Sequence, residues 1–272
     1  MSDFVRIAWY GKHFGEEPPL VGTDNQGAGT IFFTGCNLRC VYCQNFQISQ
    51  QGLGKTYTSD QLVEIMLTLQ GQNCAAIDLV SPTVWSRVIV KAISLAKERG
   101  LSIPVVWNSN GCEPVSLIKE LNGLVDIYMP DFKYSNDDLA KELSNVQDYR
   151  QTALSAIGEM YRQVCPLQIK NDVAVKGLII RHLILPGYLE NTCGVLEDIA
   201  SIGQDNYVSL MSQYFPAYKA DQYENLDRRL SRREVELAQT KLLDLNLVNG
   251  WTQLPDSASF LLPDFTKEQP FS

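Results

Sequence analysis

Short apolar segments alternate with longer amphipathic segments from residue 30 onward. Several of the short segments are apolar at successive positions rather than at every second one. This is typical of strands that are buried on both faces of a parallel sheet. The pattern predicts six strands, over residues 30–34, 75–80, 103–107, 125–129, 177–185 and 207–211.

The amphipathic segments between and after these strands carry apolar residues at helical spacing. Two of them begin with capping patterns, Thr58 followed by Gln61 and Ser231 followed by Glu234, and another ends before Gly100, a residue type that commonly follows a helix. The pattern predicts helices over residues 58–72, 84–99, 114–121, 136–143, 149–164, 191–202 and 231–245.

Six strand–helix units in succession favour an α/β fold with a parallel sheet. Such units can curve into a partial barrel or form an open doubly wound sheet, and periodicity alone does not separate the two. In both architectures the functional residues follow the carboxyl ends of the strands. We predict three regions: an irregular N-terminal arm over residues 1–29, the strand–helix units over 30–220, and a tail over 221–272 that packs back on them.

The composition is that of a globular protein, with 45% of the 272 residues hydrophobic and 20% charged. Lys and Arg number 23 against 31 Asp and Glu, and this net charge of -8 argues against nucleic acid, whose phosphates require clustered cations. The sequence contains no stretch of 18 apolar residues, the length needed to span a membrane. The N-terminus lacks the basic and apolar regions of a secretory signal. We therefore expect a cytoplasmic protein without membrane contact, whose thiols stay reduced.

Three of the seven cysteines lie close together after the first predicted strand. Three residues separate Cys36 from Cys40, and two separate Cys40 from Cys43. A loop this short can wrap one metal centre, and thiolates are preferred ligands of iron–sulfur clusters and of zinc. A structural zinc ion needs a fourth protein ligand, which the nearby sequence does not offer, whereas three ligands to a four-iron cluster leave one iron open. The alternative, three buried cysteines that only pack, fits poorly with the polar Asn37 and Arg39 between them.

The pattern Cys36-x-x-x-Cys40-x-Tyr42-Cys43 resembles the signature loop of the radical S-adenosylmethionine (SAM) superfamily. Further segments resemble one branch of it, the uncharacterised iron–sulfur homologues of the pyruvate formate-lyase activating enzyme. These segments begin at His13 (HFGEEPP), Gly29 (GTIFFTGC), Cys43 (CQN), Tyr128 (YMPDFK) and Arg181 (RHLILPG). The resemblance extends over residues 5–220 and implies a partial (β/α)6 barrel over 30–220 with a C-terminal extension.

The resemblance implies one [4Fe-4S] cluster held by Cys36, Cys40 and Cys43, whose open iron binds the amino and carboxylate groups of SAM. An electron from reduced flavodoxin or ferredoxin then cleaves SAM to methionine and a 5′-deoxyadenosyl radical, which abstracts a hydrogen atom from the substrate. The substrate is a protein if the chain acts as activating enzymes do on glycyl radical enzymes. A small molecule or peptide is the alternative, and a cluster protein that binds SAM without turnover is a third reading.

The resemblance also assigns roles to individual side chains. Tyr42 matches the aromatic residue that packs near the SAM adenine, and Arg181 matches an arginine that contacts SAM. Asp131 and Lys133 match residues at the mouth of the active site. Because they are two positions apart on an extended segment, both can face the pocket, and a surface ion pair is the alternative. His182 would point away from Arg181 and is expected to be structural.

Two segments depart from the family pattern at the SAM site. Asn108, in the segment Asn-Ser-Asn-Gly, stands where activating enzymes carry an aspartate, which removes the carboxylate that a cation site would use. After the second predicted strand, Ser-Pro-Thr-Val replaces a Gly-Gly-Glu-Pro-like segment that binds the SAM amino group. Ser81 and Thr83 can offer hydroxyl or carbonyl groups there, but no charge. Asn108 and Ser81 are still expected to face the cofactor.

The remaining cysteines, Cys74, Cys112, Cys165 and Cys193, are dispersed along the chain. Many activating enzymes carry two further clusters in an insert after the signature loop, but only residues 46–57 separate that loop from the next predicted helix. We therefore expect a single cluster. Cys112 follows a strand end and can lie near the pocket, but an inert buried thiol is the expected state of all four.

Overall fold

The structure, a computed structural model, describes residues 3–23, 26–252 and 262–271. Its strands are β1 (Phe4–His13), β2 (Ala28–Phe33), β3 (Lys55–Thr58), β4 (Ile77–Val80), β5 (Val105–Ser109), β6 (Ile127–Pro130), β7 (Gln168–Lys170), β8 (Val173–Leu183), β9 (Tyr207–Met211) and β10 (Gly250–Thr252). Its helices are α1 (Pro18–Val21), α2 (Phe46–Ser49), α3 (Ser59–Gly71), α4 (Ser86–Glu98), α5 (Val115–Glu120), α6 (Asp137–Ser144), α7 (Tyr149–Val164), α8 (Leu189–Ile202) and α9 (Arg232–Asp244).

The strands form one sheet in the order β10-β9-β8-β6-β5-β4-β2-β1-β3, and β7 pairs with β8 off this path. Neighbours from β2 to β10 run parallel, while β1 is antiparallel to β2 and β3, and β7 is antiparallel to β8. The six predicted strands are the parallel strands β2, β4, β5, β6, β8 and β9. The prediction of an α/β fold with a parallel sheet is therefore confirmed. The described sheet is open, with β10 and β3 at its ends.

The parallel part of the sheet curves around one concave face. Six strands from β2 to β9 would span about 24 Å if the sheet were flat, since neighbouring strands lie about 4.8 Å apart. One cavity of about 250 Å³ is nevertheless lined by residues from both ends of this span, including Phe32 in β2, Asn108 in β5 and Met211 in β9. Strong curvature brings these side chains together, as in a partial barrel.

The N-terminal arm is not irregular, so the prediction for residues 1–29 is wrong. Phe4–His13 forms β1, which pairs with β2 and β3 and buries Val5 and Ile7. After β1 the chain enters the concave face of the sheet, where Leu20 is fully buried in an apolar cluster with residues of β5, β6 and β8. The strand escaped prediction because its burial depends on pairing with distant segments, and the acids and prolines after it are typical of a surface turn.

The longer helices pack against the other face of the sheet. Leu79, Trp107 and Ile180, on buried strands, join the buried side chains of α3, α4, α7 and α8 in the main hydrophobic core. The capping boxes predicted at Thr58 and Ser231 are both present, at the starts of α3 and α9. All seven predicted helices correspond to described helices, with boundaries shifted by at most two residues.

The C-terminal tail contacts the helix layer, the sheet and the concave side. Helix α9 packs against α8, and β10 pairs in parallel with β9. Residues 262–271 return to the concave side, where the rings of Phe265 and Phe271 each lie 5.4 Å from that of Phe32. Residues 253–261 of the predicted tail lie outside the described residues. In the part of the chain that the structure describes, no helix has the length and apolar character needed to cross a membrane.

Candidate functional site

A cavity of about 250 Å³ lies at the carboxyl ends of the parallel strands, where this fold class places functional residues. Its lining includes every cluster and cofactor residue predicted from the sequence. These are Cys36, Cys40, Tyr42, Cys43, Ser81, Asn108, Asp131, Lys133 and Arg181. The lining also includes Glu16 from the segment after β1, and Pro263 and Phe271 from the tail. The fold therefore brings residues from distant parts of the chain to one site.

The loop after β2 carries the three cysteines to the cavity. Cys40 is buried, while Cys36 and Cys43 are half-buried. The backbone N–H groups of Arg39 and Val41, on either side of Cys40, donate to carbonyl oxygens at the end of α6 at 2.9 Å each. The loop is thus fixed to the helix layer, and its cysteines keep defined positions at the cavity wall.

Each of the three sulfur atoms lies beside a potential hydrogen-bond donor. The donors are the Leu38 N–H and the Asn110 amide for Cys36, both at 3.4 Å, the Ser144 hydroxyl for Cys40 at 2.9 Å, and the Ser49 hydroxyl for Cys43 at 3.2 Å. Hydrogen bonds to the ligating sulfurs stabilise an iron–sulfur cluster and tune its reduction potential. The surroundings of the thiols therefore suit metal-bound thiolates.

Burial raises the pKa of the Cys40 thiol to about 12 and also raises that of Cys43. These thiols stay protonated until a positive charge arrives, and a bound metal would supply that charge. In the described residues, no group of three or more His, Cys, Asp or Glu side chains is arranged to hold a single metal ion. The soft donor set and its hydrogen bonds fit an iron–sulfur cluster, in which each thiolate binds a separate iron.

Tyr42 is held by a chain of hydroxyl groups that ends at the cysteine loop. Its hydroxyl lies 2.6 Å from that of Tyr134, which lies 2.5 Å from the Ser144 hydroxyl, the same group that donates to Cys40. Only 6% of Tyr42 is exposed. The ring is therefore fixed in the cavity wall beside the thiols, where an aromatic contact to a ligand was predicted.

Asp131 lies between two cationic side chains. Arg181 Nε donates to Asp131 Oδ1 at 2.8 Å, and Lys133 Nζ donates to Oδ2 at 2.6 Å. Although burial alone would raise it, these two cations hold the pKa of Asp131 below its usual value. The side chains of Asp131 and Lys133 are each 17% exposed, so the alternative of a surface ion pair is wrong. Arg181 Nη2 also donates to Asn108 Oδ1 at 2.7 Å, which ties three predicted residues together.

The segment after β4 places only one of its two predicted hydroxyl residues at the cavity. Ser81 adopts the left-handed conformation, with φ 57°, and its N–H donates to the Asn108 carbonyl oxygen at 2.9 Å. This turn directs the next residues away from the cavity, so the Thr83 hydroxyl donates to buried Glu113 at 2.9 Å instead. Of Ser81 and Thr83, the two residues that could offer groups to the SAM amino group, Ser81 lines the cavity and Thr83 does not.

His182 is structural, as predicted. It is fully buried, with Nδ1 2.8 Å from the Phe132 carbonyl oxygen and Nε2 3.0 Å from the Thr192 hydroxyl. Burial lowers its pKa to about 4, so the ring is neutral at pH 7. The described lining of the cavity does not include the four dispersed cysteines. These are Cys74, Cys112, Cys165 and Cys193.

Sequence analysis missed a group of buried acids beside the cavity. Glu16 Oε2 lies 3.6 Å from Arg181 Nη1, and fully buried Asp78 accepts a hydrogen bond from the Asn108 amide at 3.3 Å. Glu17 is also buried. Two signals were available: an aspartate inside an apolar strand needs a buried partner, and the acid pair belongs to the segment HFGEEPP.

The sequence is similar to known proteins over much of its length. The family model of the radical SAM superfamily matches residues 30–166, half of the chain. An uncharacterised protein of Methanocaldococcus jannaschii is 34% identical over 238 residues, covering 83% of this chain and 63% of that protein. A protein of the same organism, provisionally named a glycyl-radical enzyme activating enzyme, is 24% identical over 193 residues, covering 70% of this chain and 74% of that protein.

Solved structures give the same fold. SuiB of Streptococcus suis bound to its precursor peptide SuiA has a TM-score of 0.58 at 13% identity, covering 86% of this chain and 51% of SuiB. SuiB bound to S-adenosylmethionine has a TM-score of 0.57 at 13% identity, covering 83% of this chain and 50% of SuiB. At this identity the likeness concerns the fold alone. The chain spans about half of SuiB and 63% of the uncharacterised relative.

Proposed function

The chain belongs to the radical SAM superfamily, and we propose that it binds one [4Fe-4S] cluster through Cys36, Cys40 and Cys43 and cleaves SAM reductively. The observation that supports this most is the convergence of three hydrogen-bonded cysteines and a half-buried cationic pair on one cavity. When bound, the cluster and SAM supply a 5′-deoxyadenosyl radical that abstracts a hydrogen atom. Reduced flavodoxin or ferredoxin supplies the electron.

The chain's own residues bind and orient the cofactor. Lys133 and Arg181 bring positive charge to the cavity and can donate hydrogen bonds to the SAM carboxylate, while Asp131 fixes the positions of both. Tyr42 supplies an aromatic surface for the adenine. Phe271, which lines the cavity from the tail, helps to exclude water from the reacting groups.

We propose a protein as the substrate, in a reaction like that of the enzymes that activate glycyl radical enzymes. The support is the 24% identity to a protein provisionally named for that activity. A peptide or small molecule is the second candidate, favoured by the similarity of fold to SuiB, whose structure holds a precursor peptide. The two candidates share the cleavage of SAM and differ in the acceptor of the radical.

Anaerobic reconstitution followed by dithionite and SAM tests the shared step. The wild-type protein should form 5′-deoxyadenosine. Cys40→Ala should form none and bind less iron, whereas the matched variant Cys112→Ala, outside the described cavity lining, should keep both properties. Binding of SAM without any 5′-deoxyadenosine would refute turnover and favour a cluster protein that only binds SAM.

The substrate class is tested by adding glycyl radical enzymes to the reduced, SAM-loaded protein. Activation of a protein substrate should give the doublet of a glycyl radical in electron paramagnetic resonance spectra. Absence of the doublet with every glycyl radical enzyme tested would contradict the activating function, and hydrogen abstraction from peptides would then be assayed.

A further inference from the structure

We propose that Glu16 accepts a hydrogen bond from the amino group of SAM, a role that rests on the SAM binding proposed above. Glu16 lies in the segment after β1, far in the sequence from the cysteine loop, yet it lines the same cavity as Cys36, Cys40 and Cys43. Its side chain is 8% exposed. A carboxylate with so little exposure needs a donor close to it.

The segment that carries Glu16 is held firmly in the concave face. Leu20, four residues further on, is fully buried, and its N–H donates to the Glu17 carbonyl oxygen at 2.8 Å. On the other side, His13 is the last residue of β1, which pairs with β2. Glu16 is thus anchored on both sides, and its carboxylate occupies a defined place at the cavity wall.

The two cations at the cavity leave Glu16 without a close partner. Among the described residues that line the cavity, the acids Glu16 and Asp131 lie beside the cations Lys133 and Arg181. Arg181 donates directly to Asp131 and Asn108, but its Nη1 lies 3.6 Å from Glu16, too far for a good hydrogen bond.

A buried acceptor that has no hydrogen-bond partner in the described part of the chain lies beside Glu16. The carboxyl groups of Glu16 and Asp78 lie next to each other, and burial raises the pKa of both. Among the described residues, Asp78 Oδ1 is buried and has no hydrogen-bond partner. Buried acceptors without a donor are costly, and a ligand N–H group beside them would relieve part of that cost.

Among the described residues that line the cavity, Lys133 and Arg181 are the cations, and neither donates a close hydrogen bond to Glu16. His13 Nε2 lies 3.9 Å from Glu16 Oε1, but burial lowers the pKa of His13 to about 4, so its ring is neutral at pH 7. Ser81 reaches the cavity with a neutral hydroxyl. Lys133 Nζ pairs with Asp131 at 2.6 Å rather than with Glu16.

The amino group of SAM has the chemistry that this part of the cavity requires. Its carboxylate would be repelled by the acids and attracted to Lys133 and Arg181, while its amino group is the N–H donor of the same amino-acid moiety. Glu16 would therefore bind the amino group, and Lys133 and Arg181 the carboxylate, of the same amino-acid moiety. This arrangement would orient SAM before cleavage.

Calorimetric titration of the anaerobic, cluster-loaded protein tests the proposal with two ligands, SAM and 5′-methylthioadenosine, which lacks the amino-acid moiety. Glu16→Gln should weaken SAM binding about tenfold to a hundredfold, the usual value of a hydrogen bond to a charged group, and leave 5′-methylthioadenosine binding unchanged. Glu17→Gln, which removes the adjacent buried acid outside the described cavity lining, should change SAM affinity less than about threefold.

Equal SAM affinity in Glu16→Gln and wild type would overturn the proposal, as would equal weakening of both ligands or equal weakening in Glu17→Gln. If Glu16→Gln fails to load iron, Glu16→Asp replaces it and should show intermediate SAM affinity with unchanged 5′-methylthioadenosine affinity. Unchanged SAM affinity in that variant also overturns the role. Failure of the wild-type protein to bind SAM would instead refute the proposed function, so the two failures are distinguishable.

Discussion

Replacing Asp131 with asparagine should lower the free energy of unfolding by about 3 kcal/mol. The carboxylate is shared by Arg181 Nε, at 2.8 Å, and Lys133 Nζ, at 2.6 Å. Removing one partner of a buried ion pair costs about 3–5 kcal/mol because it leaves a charge without compensation. Because 17% of the Asp131 side chain is exposed to solvent, which screens the charges, we take the lower end of that range.

The loss should depend on pH in a defined direction. Although burial alone would raise it, Arg181 and Lys133 hold the pKa of Asp131 below its usual value of 3.8. A group whose pKa is lowered on folding stabilises the folded state above its unfolded pKa and loses that effect as the pH falls through the folded pKa. The difference in the free energy of unfolding between wild type and Asp131→Asn should therefore be largest at pH 7. It should decrease as the pH falls below the usual pKa of aspartate.

Urea unfolding of the apoprotein, followed by circular dichroism, measures both effects. Glu236→Gln is the matched control, because it removes the exposed pair of Arg232 and Glu236, whose side chains are 91% and 58% exposed. That control should change stability by less than about 0.5 kcal/mol. A loss below about 1 kcal/mol for Asp131→Asn, or an equal loss for Glu236→Gln, would refute the reasoning.

Two further variants test the arm and the surroundings of the thiols. Leu20→Ala should lower the free energy of unfolding in urea by about 3–5 kcal/mol, because Leu20 is fully buried. Leu243→Ala, at a position that is 65% exposed, should have little effect. Equal losses in the two variants would contradict the burial of the N-terminal arm. Ser144→Ala removes the donor 2.9 Å from Cys40 Sγ, and redox titration should show a midpoint potential lower by about 40 mV, the one-electron equivalent of about 1 kcal/mol. An unchanged potential would show that this hydrogen bond does not reach a ligand of the cluster.

The parallel sheet and its helices could be predicted because their signals are local. The strand Tyr207–Met211 and the helix Tyr149–Val164 coincide with the predicted segments, since both have continuous apolar or amphipathic patterns. Strand β1 could not be found in this way. Its residues become buried only when it pairs antiparallel with β2 and β3, which are distant in the sequence.

The residues of the candidate site also fall into those with a local sequence signal and those brought together only by folding. The cysteines, Asp131, Lys133 and Arg181 stand at strand ends in recognisable spacing, so the sequence is sufficient to find them. Glu16 and Asp78 meet only through folding of the arm into the concave face. The sequence does not show that the left-handed turn at Ser81 directs Thr83 toward Glu113, because a periodic pattern does not reveal such a turn.

The central claim is that Cys36, Cys40 and Cys43 hold a four-iron cluster with an open iron for SAM. Electron paramagnetic resonance of the reduced, reconstituted protein tests it most directly. We expect the signal of a [4Fe-4S]⁺ cluster whose g-values change when SAM is added. A signal that SAM leaves unchanged, or a cluster that persists in Cys36→Ala, Cys40→Ala and Cys43→Ala alike, would contradict it.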